Sequence, residues 1–315
     1  MEVQAGLEAF LKITFLGTSS GVPTRDRNVS AVALDLGQSG ETWLFDCGEA
    51  TQHRILQAGI RPTRIRRIFI THLHGDHVFG LAGLLCTLNL ACDPAGIDVY
   101  GPEGLGEYLD ESMKRTVWSP EYPFAVHVAT PGVIFEDDVH VVRCAALHHN
   151  IPAIGFRVDE KPGPGKLDAE KAERLGVPFG PLLGLLKAGE DVTLSDGTVV
   201  LSAGLTAPPR PGRSFAYVSD TAPCDGGLEL AREADFVIHE ATYTQDDADR
   251  LPKRRHSTAT DAATVARDSG AKRLFLTHFS PRYQSAISLV EEARAIFPAT
   301  DAAEDLLSVE VPFPA

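Results

Sequence analysis

Residues 71–77 read Thr-His-Leu-His-Gly-Asp-His and directly follow the apolar run Ile-Phe-Ile at 68–70. The run predicts a buried strand, and the residues at its C-terminal tip include four potential metal ligands: His72, His74, Asp76 and His77. Because side chains alternate along an extended chain, we expect the first three of these ligands on one side of it. The turn at Gly75 then brings His77 to the start of a helix. Such a cluster suits two adjacent divalent cations, and paired cations favour hydrolysis.

The composition predicts a globular protein with a large hydrophobic core. The chain has 315 residues, of which 43% are hydrophobic and 23% are charged. No apolar run approaches the roughly 18 residues that indicate a membrane span, and residues 1–11 lack the features of a signal peptide. The five cysteines are scattered without a C-x-x-C pair: Cys47, Cys86, Cys92, Cys144 and Cys224. We therefore expect a cytoplasmic protein with reduced thiols, no membrane association and no cysteine-based metal site.

The net charge of −14 argues against a protein that holds nucleic acid by bulk electrostatics. Such proteins usually carry a basic footprint that contacts phosphates. The negative total still leaves room for a local basic patch around a metal centre, so any contact with RNA must be local.

Several short apolar segments end in polar residues that can do chemistry. The polar residues that follow them are Asp46, His72, Asp220, Glu240 and His278. Further strands are predicted at 13–16, 30–36, 139–144, 154–158 and 308–311, and helices at 78–90, 103–116, 226–233, 257–268 and 287–297. Ser257 or Thr258 can cap its helix, with Asp261 in the first turn. Strands that alternate with helices predict an α/β fold with sites at the strand ends.

Residues 161–191 differ from the rest of the chain because glycine and proline are dense there. These residues break regular structure, although a short helix is predicted at 168–175. The stretch is either an arm with a function or an ordinary surface insertion, and composition alone does not distinguish the two.

The second half of any metal site has to come from distant parts of the chain. Either ring of the pair His148-His149 can be a ligand. Asp220 is either a carboxylate that bridges two cations or a helix-capping aspartate, and His278 is either a ligand or a core histidine. Four other histidines have no supporting context: His53, His127, His140 and His239.

The motif at 71–77 is the signature of the metallo-β-lactamase superfamily, and the chain more specifically resembles the ribonuclease Z family, endonucleases that mature tRNA 3′ ends. The resemblance runs from residue 13 to about residue 297. It is carried by F-L-G-T-S-S-G-V-P (15–23), R-N-V-S-A (27–31), S-D-T-A-P-C-D (219–225), H-E-A-T (239–242), H-S-T-A (256–259) and T-H-F-S-P-R-Y (277–283). The H-E-A-T and H-S-T blocks are more specific than the first metal motif, which many hydrolases share.

The resemblance implies a four-layer αββα sandwich formed by one domain over 1–315, with a protruding Gly/Pro-rich arm inserted at 160–191. It implies two Zn²⁺ ions per subunit, for which Mn²⁺ is also suitable. One ion would be held by His72, His74 and His149. The other would be held by Asp76, His77 and His278, and Asp220 would bridge the two.

The resemblance also implies catalytic and RNA-contacting residues. Asp76 would orient the water nucleophile, and His256, held by Glu240, would protonate the leaving ribose oxygen; alternatively, His256 simply sits at a helix start. Arg25, Arg27 and Asn28 would sense the RNA 3′ end, although a solvated turn is the other interpretation of this loop. The arm would grip the tRNA body, and its cationic residues are Lys161, Lys166, Lys171, Arg174 and Lys187.

The predicted function is therefore removal of the 3′ trailer from precursor tRNA, which leaves a 3′-hydroxyl on the tRNA and a 5′-phosphate on the trailer. The family further implies a homodimer, and no nucleotide cofactor is expected. Two alternatives remain: a phosphodiesterase of the same fold that acts on small esters or other RNAs, and a metal-dependent RNA-binding module without turnover.

Overall fold

The computed structural model describes residues 10–91, 95–250 and 255–314. Cys92 and nearly all of the N-terminal stretch discussed above lie outside these residues. The chain divides into two compact units. The larger comprises Met1–Phe135, Val142–Val158 and Ser214–Pro312, and the smaller comprises Glu136–Val141, Asp159–Arg213 and Phe313–Ala315.

The first of two seven-stranded sheets is built from the N-terminal part of the chain and one C-terminal strand. Its strands are β1 (Leu11–Gly17), β2 (Ala31–Leu36), β3 (Glu41–Phe45), β4 (Ile65–Phe69), β5 (Ile97–Gly101), β6 (Phe124–Val128) and β16 (Ser308–Glu310). They are ordered β16-β1-β2-β3-β4-β5-β6. Neighbours from β16 to β3 are antiparallel, and those from β3 to β6 are parallel. The end of β4 leads into residues 71–77.

The second seven-stranded sheet contains the remaining long strands. They are β7 (Gly132–Glu136), β8 (His140–Leu147), β9 (Ala153–Glu160), β12 (Ser214–Val218), β13 (Phe236–Glu240), β14 (Leu274–Thr277) and β15 (Thr300–Ala302). Their order is β15-β14-β13-β12-β9-β8-β7, and β12 to β15 run parallel. Parallel strands place their C-terminal ends at one edge, so the residues that follow β12, β13 and β14 meet there.

The helices fill the connections between strands. They are α1 (Thr51–Gln57), α2 (Gly75–Val78), α3 (Leu81–Ala91), α4 (Leu105–Thr116), α5 (Ala169–Arg174), α6 (Pro181–Lys187), α7 (Asp225–Ala231), α8 (Gln245–Arg250), α9 (Ala259–Ser269) and α10 (Ile287–Arg294), with a 3-10 helix at Pro62–Arg64. Within the described residues, none of them combines the length and apolarity that crossing a bilayer requires.

Alternation along the strands builds four layers in the larger unit. Trp43 and Phe45 of β3 face a core between the two sheets, where Phe45 meets Tyr217 of β12. The intervening Leu44 faces the opposite way, toward α1, α3 and α4. Val218 of β12 likewise faces α7, α9 and α10. Each sheet therefore buries one face against the other sheet and one against helices, which confirms the predicted αββα sandwich.

The smaller unit has a hydrophobic cluster of its own. The cluster consists of Ala172, Val177, Leu186, Val192, Val200 and Leu205, supplied by α5, α6 and the hairpin of β10 (Val192–Thr193) and β11 (Val199–Val200). A buried ion pair joins Glu160 and Arg213 at 2.7 Å. The predicted arm at 160–191 lies within this unit, which continues to Arg213 because the hairpin completes its cluster.

The chain around the first motif departs from the prediction. Asp76 was expected on an extended chain, but α2 begins at Gly75, so that both Asp76 and His77 are helical. The predicted helix at 78–90 is also divided, because the chain bends at Phe79 and Gly80 before α3. Gly80 packs so closely on the segment after β3 that a Cβ there would lie 2.0 Å from the Gly48 oxygen. The Gly80 amide donates to the Cys47 carbonyl at 2.9 Å instead of to a carbonyl of α2, which accounts for the break.

The packing between the sheets gives a prediction about stability. Phe45 is fully buried and its ring lies 5.0 Å from that of Phe69 and 5.1 Å from that of Phe215. Phe45→Ala should lower the free energy of unfolding by about 3–5 kcal/mol, because it leaves a cavity among aromatic rings. Urea denaturation followed by circular dichroism measures this change.

The same substitution at Phe179 is the matched control, since that ring is 97% exposed. Phe179→Ala should change the free energy of unfolding by no more than about 0.5 kcal/mol. Equal effects of the two substitutions would contradict the assigned core.

Candidate metal centre

Polar side chains that follow β4, β8, β12 and β14 converge in the larger unit. Their donor atoms form three groups, each within 4.8 Å: His72, His74, His149 and Asp220; Asp76, His77 and His278; and Asp220, His256 and His278. The residues come from segments far apart in sequence, so the two-sheet fold is what brings them together.

The first group contains three histidine nitrogens in addition to an Asp220 oxygen. Nε2 of His72 lies 3.1 Å from Nδ1 of His74, and Nε2 of His149 lies 3.2 Å from that same atom. Ligand atoms about 2.0–2.1 Å from a tetrahedral zinc ion are separated by roughly 3.3 Å, so these nitrogens have the mutual spacing of a ligand set. Of the histidine pair at 148–149, His149 is buried and points into the cluster, whereas His148 is exposed.

The second group combines two histidines and a carboxylate. Oδ2 of Asp76 lies 3.4 Å from Nε2 of His77 and 3.5 Å from Nε2 of His278. Helix α2 places Asp76 and His77 side by side, and His278 directly follows β14. This group offers two nitrogens and an oxygen, a donor set that suits a borderline divalent cation.

Asp220 lies between the three histidine nitrogens of the first group and the whole of the second group. Its Oδ1 is 3.4 Å from Nε2 of His77 and 3.1 Å from Nε2 of His278. Its Oδ2 is 3.8 Å from Nε2 of both His72 and His149. One carboxylate oxygen therefore faces each group, which is the geometry that a bridging ligand needs.

Hydrogen bonds to Nδ1 set the tautomers of four histidines, those at 72, 77, 149 and 278. His72 Nδ1 is 2.9 Å from Thr71 Oγ1, and His278 Nδ1 is 2.9 Å from Thr242 Oγ1. Each threonine donates its own hydrogen to a carboxylate, so its oxygen accepts from the ring. His149 Nδ1 similarly meets the Arg255 carbonyl at 2.9 Å. Nε2 then carries the lone pair that faces the cluster, as metal ligands require.

Asp46 is a supporting residue that the sequence pattern identified only as a polar strand end. Its Oδ2 accepts hydrogen bonds from His77 Nδ1 at 2.8 Å and from the Tyr217 hydroxyl at 3.0 Å, and its Oδ1 accepts the Thr71 amide at 2.8 Å. Asp46 and His278 both have a left-handed backbone, with φ 59° in each case. Strained backbone of this kind concentrates at functional sites. Thr242 and Arg255 were likewise missed, because nothing in a linear motif marks a residue that acts on a ligand from behind.

The donor set fits divalent cations. Nε2 of His77 and Nε2 of His278 are buried without a hydrogen-bond partner, although carboxylate oxygens surround them. Burial disfavours a charged His77, yet Asp220, Asp46 and Asp76 outweigh it and hold the pKa of His77 well above its usual value. A cation among these carboxylates takes the place of that proton, because metal binding displaces protons from its ligands.

Four further ligand candidates, His72, His149, Asp76 and Asp220, have pKa values shifted in the direction that metal binding needs. Burial lowers the pKa of His72 and of His149, which favours the neutral ring. Burial opposes ionisation of Asp76 and Asp220, but the neighbouring histidines hold both pKa values well below the usual range. Neutral imidazoles and ionised carboxylates are the forms that ligate metals.

Glu240 and His256 form a pair beside the cluster. Glu240 Oε1 lies 3.0 Å from His256 Nδ1, and the glutamate also accepts from the Thr221 amide at 2.7 Å. Burial disfavours the charged His256, but Glu240 outweighs it and raises the pKa of His256 to about 9. The imidazole is thus protonated at neutral pH, in reach of the cluster through Asp220 Oδ2 at 3.8 Å.

The three loop residues expected to sense RNA differ in their exposure and in the contacts that they make. Arg25 is exposed. The Arg27 guanidinium instead turns inward, where it donates to Thr18 Oγ1 at 2.6 Å and lies over the Phe279 ring. Asn28 donates through Nδ2 to the Glu49 carbonyl at 2.9 Å. Arg27 and Asn28 therefore make contacts that shape the loop.

The cationic residues of the predicted arm all lie in the smaller unit. Lys161 pairs with Glu136 at 2.7 Å, and Lys171 Nζ donates to the Gly204 carbonyl at 2.9 Å. Arg174 lies 3.9 Å from Glu170. Lys166 and Lys187 are exposed. The last two are thus the clearest candidates for contacts with another molecule.

Besides the exposed His148, four histidines lie outside the three donor groups, among the residues that the structure describes. His127 pairs with Asp98 at 2.7 Å, and His140 lies 3.5 Å from Asp137. His239 Nδ1 meets the Glu240 carbonyl at 2.7 Å, and His53 is exposed. None of them joins the cluster, as expected for histidines without a supporting motif.

Known proteins resemble this chain over nearly its whole length. The family model for the anti-Pycsar protein Apyc1 matches residues 11–125, and that for the beta-lactamase superfamily domain matches 186–279. A ribonuclease Z from Cyanothece sp. is 55% identical, with 96% of each chain covered. A ribonuclease Z from Nostoc sp. is 52% identical, with 96% of this chain and 95% of the relative covered.

A solved structure agrees with these relatives. The crystal structure of human tRNase Z, short form, matches with a TM-score of 0.70 and 33% identity, over 96% of this chain and all of that one. Sequence and structure comparisons thus lead to the same group of enzymes, and the chain belongs to the ribonuclease Z family of the metallo-β-lactamase superfamily.

Proposed function

We propose that this protein is a zinc-dependent endoribonuclease that removes the 3′ trailer from precursor tRNA, leaving a 3′-hydroxyl on the tRNA and a 5′-phosphate on the trailer. The observation that carries the proposal is the convergence of six ligand candidates around Asp220, in a chain of the ribonuclease Z family. The similarity to human tRNase Z supports tRNA as the substrate.

The proposed metal site would hold two Zn²⁺ ions, and its mixed nitrogen and oxygen donors would also suit Mn²⁺. His72, His74 and His149 would hold one ion, Asp76, His77 and His278 would hold the other, and Asp220 would be shared between the two. When bound, such a pair supplies an acidified water and neutralises negative charge on a phosphate. The inward Nε2 lone pairs and the two-sided carboxylate of Asp220 support this assignment.

The chain's own side chains move the protons. The carboxylate of Asp76 orients the attacking water. Glu240 accepts from His256 Nδ1–H and so fixes the ring orientation. His256 Nε2–H then donates its proton to the leaving ribose 3′-oxygen, which is a poor leaving group without one. A pKa of about 9 keeps His256 protonated at neutral pH and ready to act as an acid.

RNA binding is proposed to use two local surfaces, since the whole chain is acidic. Arg25, with the loop that Arg27 and Asn28 shape, lies on the same segment as Gly21, whose amide contacts Asp76 at 2.8 Å. That contact supports a role at the RNA 3′ end. The predicted arm supplies Lys166 and Lys187 as exposed cations for the tRNA body. Shape and backbone contacts to A-form RNA complement so few charges.

We also propose a cytoplasmic homodimer. The cysteines at 47, 86, 144 and 224 are free, as in proteins of a reducing compartment. Large apolar side chains are exposed on neighbouring helices of the larger unit: Leu56 of α1 at 62%, Phe79 after α2 at 63% and Leu90 of α3 at 80%. Such side chains are suited to burial against a second subunit.

Loss of a metal ligand is expected to abolish cleavage. His72→Ala and Asp220→Ala each remove a donor from the buried cluster, and a strong chelator removes the cations themselves. Cleavage of a defined precursor tRNA, with the cut mapped and with Zn²⁺ or Mn²⁺ added back, measures the effect. His148→Ala is the matched control, because this adjacent histidine is exposed and should keep wild-type activity. Full activity in thoroughly chelated enzyme would refute the mechanism.

The general acid predicts a selective kinetic defect. His256→Ala should lower kcat by about 10²- to 10⁴-fold, because the ribose oxygen then leaves without a proton. RNA affinity, measured by filter binding, should stay within about twofold of wild type, since binding does not need this proton. His53→Ala is the control, since its ring is exposed and outside the cluster. An unchanged kcat in His256→Ala would remove His256 from the mechanism.

If the smaller unit binds tRNA, loss of its exposed cations should weaken RNA binding without affecting phosphodiester hydrolysis. Lys166→Glu with Lys187→Glu should weaken binding of precursor tRNA and flatten its salt dependence, because two phosphate contacts are lost. Hydrolysis of bis-(p-nitrophenyl) phosphate should be unchanged. Lys114→Glu with Arg115→Glu, at two exposed positions of α4, is the control matched for net charge. Equal loss of both activities would argue against a binding role. Excision of 160–191 alone is a poor test, since it cuts through the unit's hydrophobic cluster.

A further inference from the structure

Asp305 is a buried carboxylate, outside the metal cluster, that joins three separate segments. Its Oδ1 accepts from Thr18 Oγ1 at 2.7 Å. Its Oδ2 accepts from the Asn28 amide at 2.7 Å and from Arg54 Nη2 at 2.6 Å. Its side chain is only 4% exposed. Bonds to a buried carboxylate are charge-assisted and strong, so Asp305 holds these segments firmly.

The segments at Thr18 and Asn28 are the two ends of one loop. The amides of Thr18 and Ser19 both donate to the Asn28 carbonyl, at 2.9 and 2.8 Å. Arg27 reinforces this closure from the side, since it donates to Thr18 Oγ1 at 2.6 Å and to the Ala303 carbonyl at 2.9 Å. With both ends fixed on Asp305, the position of the residues between them is determined.

The middle of this loop contacts the metal cluster. The Gly21 amide donates to Asp76 Oδ2 at 2.8 Å. Gly21 has φ +74°, a conformation that side chains disfavour, so glycine allows the amide to point this way. The neighbouring Ser20 amide donates to the Phe279 carbonyl at 3.0 Å, next to His278. The loop therefore lies against two members of the second ligand group.

The contact matters because of which oxygen it reaches. Asp76 Oδ2 is the atom that lies 3.4 Å from His77 Nε2 and 3.5 Å from His278 Nε2. A carboxylate rotates about its Cβ–Cγ bond unless a neighbour holds it. The Gly21 amide supplies that hold, and outer contacts of this type set the affinity of a metal site.

We propose that Asp305 is a positioning residue for the half-site formed by Asp76, His77 and His278, acting through the loop from Thr18 to Asn28. It touches no donor atom of that half-site. The other half-site, with its three histidine nitrogens, has no such link to the loop among the described contacts. The inference rests on the metal-binding part of the proposed function, and not on the identity of the RNA.

The test is a zinc titration of chelator-stripped protein by calorimetry, which reads affinity without any turnover. Wild type should take up two ions. Asp305→Asn keeps the side-chain volume but loses the charge. It should lower the binding affinity for one of the two ions by about 10- to 100-fold, while the affinity for the other stays within about twofold of wild type. Glu304→Gln removes the same charge one residue away on an exposed side chain, and should leave both affinities unchanged.

A second variant covers the case in which Asp305→Asn fails to fold. Arg54→Ala removes one of the three hydrogen bonds to Asp305 and leaves the carboxylate in place. It should therefore lower the affinity for the same ion, by a smaller factor than Asp305→Asn. Two wild-type affinities in both folded variants would overturn the proposal. An equal loss at both sites, together with a lowered Tm, would also overturn it, since that outcome describes a purely structural residue.

Cleavage of precursor tRNA is measured in parallel to separate the two ideas. If wild type binds zinc at two sites and Asp305→Asn lowers the zinc affinity of only one, the inference about Asp305 is supported even when no tRNA is cut. In that case only the assignment of tRNA as the substrate is contradicted. A wild-type chain that takes up no divalent cation overturns both. A selective zinc defect accompanied by a lower kcat supports both.

Discussion

The site depends on holding nitrogen lone pairs and carboxylate oxygens close together in a buried place. Without compensation, such groups repel one another and lose their hydration. The imidazoles of His72, His77, His149 and His278 are therefore fixed from behind, by Thr71, Asp46, Arg255 and Thr242 respectively, so that the open nitrogen of each can face the cluster. The arrangement needs positive charge at its centre, and divalent cations meet that need. The sheets, the loops and the outer hydrogen bonds all serve this one requirement.

The two sheets satisfy the requirement because of where their parallel strands end. Strands β4, β12, β13 and β14 place polar residues immediately after apolar runs. The core of aromatic rings between the sheets holds the ends of these strands in position. Supporting side chains also come from strand ends: Asp46 follows β3, and Glu240 ends β13. Chemistry and packing are thus divided along each strand, with the apolar part building the sandwich and the last residues building the site.

Much of the fold could be predicted from the sequence, since motif spacing and strand alternation are local properties. The strand ends, the histidine-rich motif at 71–77 and a cap at Ser257 or Thr258 were of this kind, and Thr258 is the observed cap. Local patterns left His149, Asp220 and His278 undecided as ligand candidates, and only the family resemblance singled them out. The helical placement of Asp76 was not predicted, because it depends on where Gly75 starts α2. The inward turn of Arg27 and the roles of Asp46 and Thr242 depend on partners distant in sequence. The continuation of the smaller unit to Arg213 depends on a hairpin that completes a cluster, which composition alone does not reveal.

The left-handed backbone at Asp46 and His278 limits how this site can change over evolutionary time. Such a conformation is tolerated best by glycine, asparagine, aspartate and histidine, and worst by branched side chains. Glycine has no side chain that could bind a metal or hold a ligand. The amino acids that tolerate this torsion angle and those that could serve the site are therefore nearly the same short set. Drift at these two positions is therefore restricted twice, once by conformation and once by reactivity, and a variant that recovers one property without the other would not restore the enzyme.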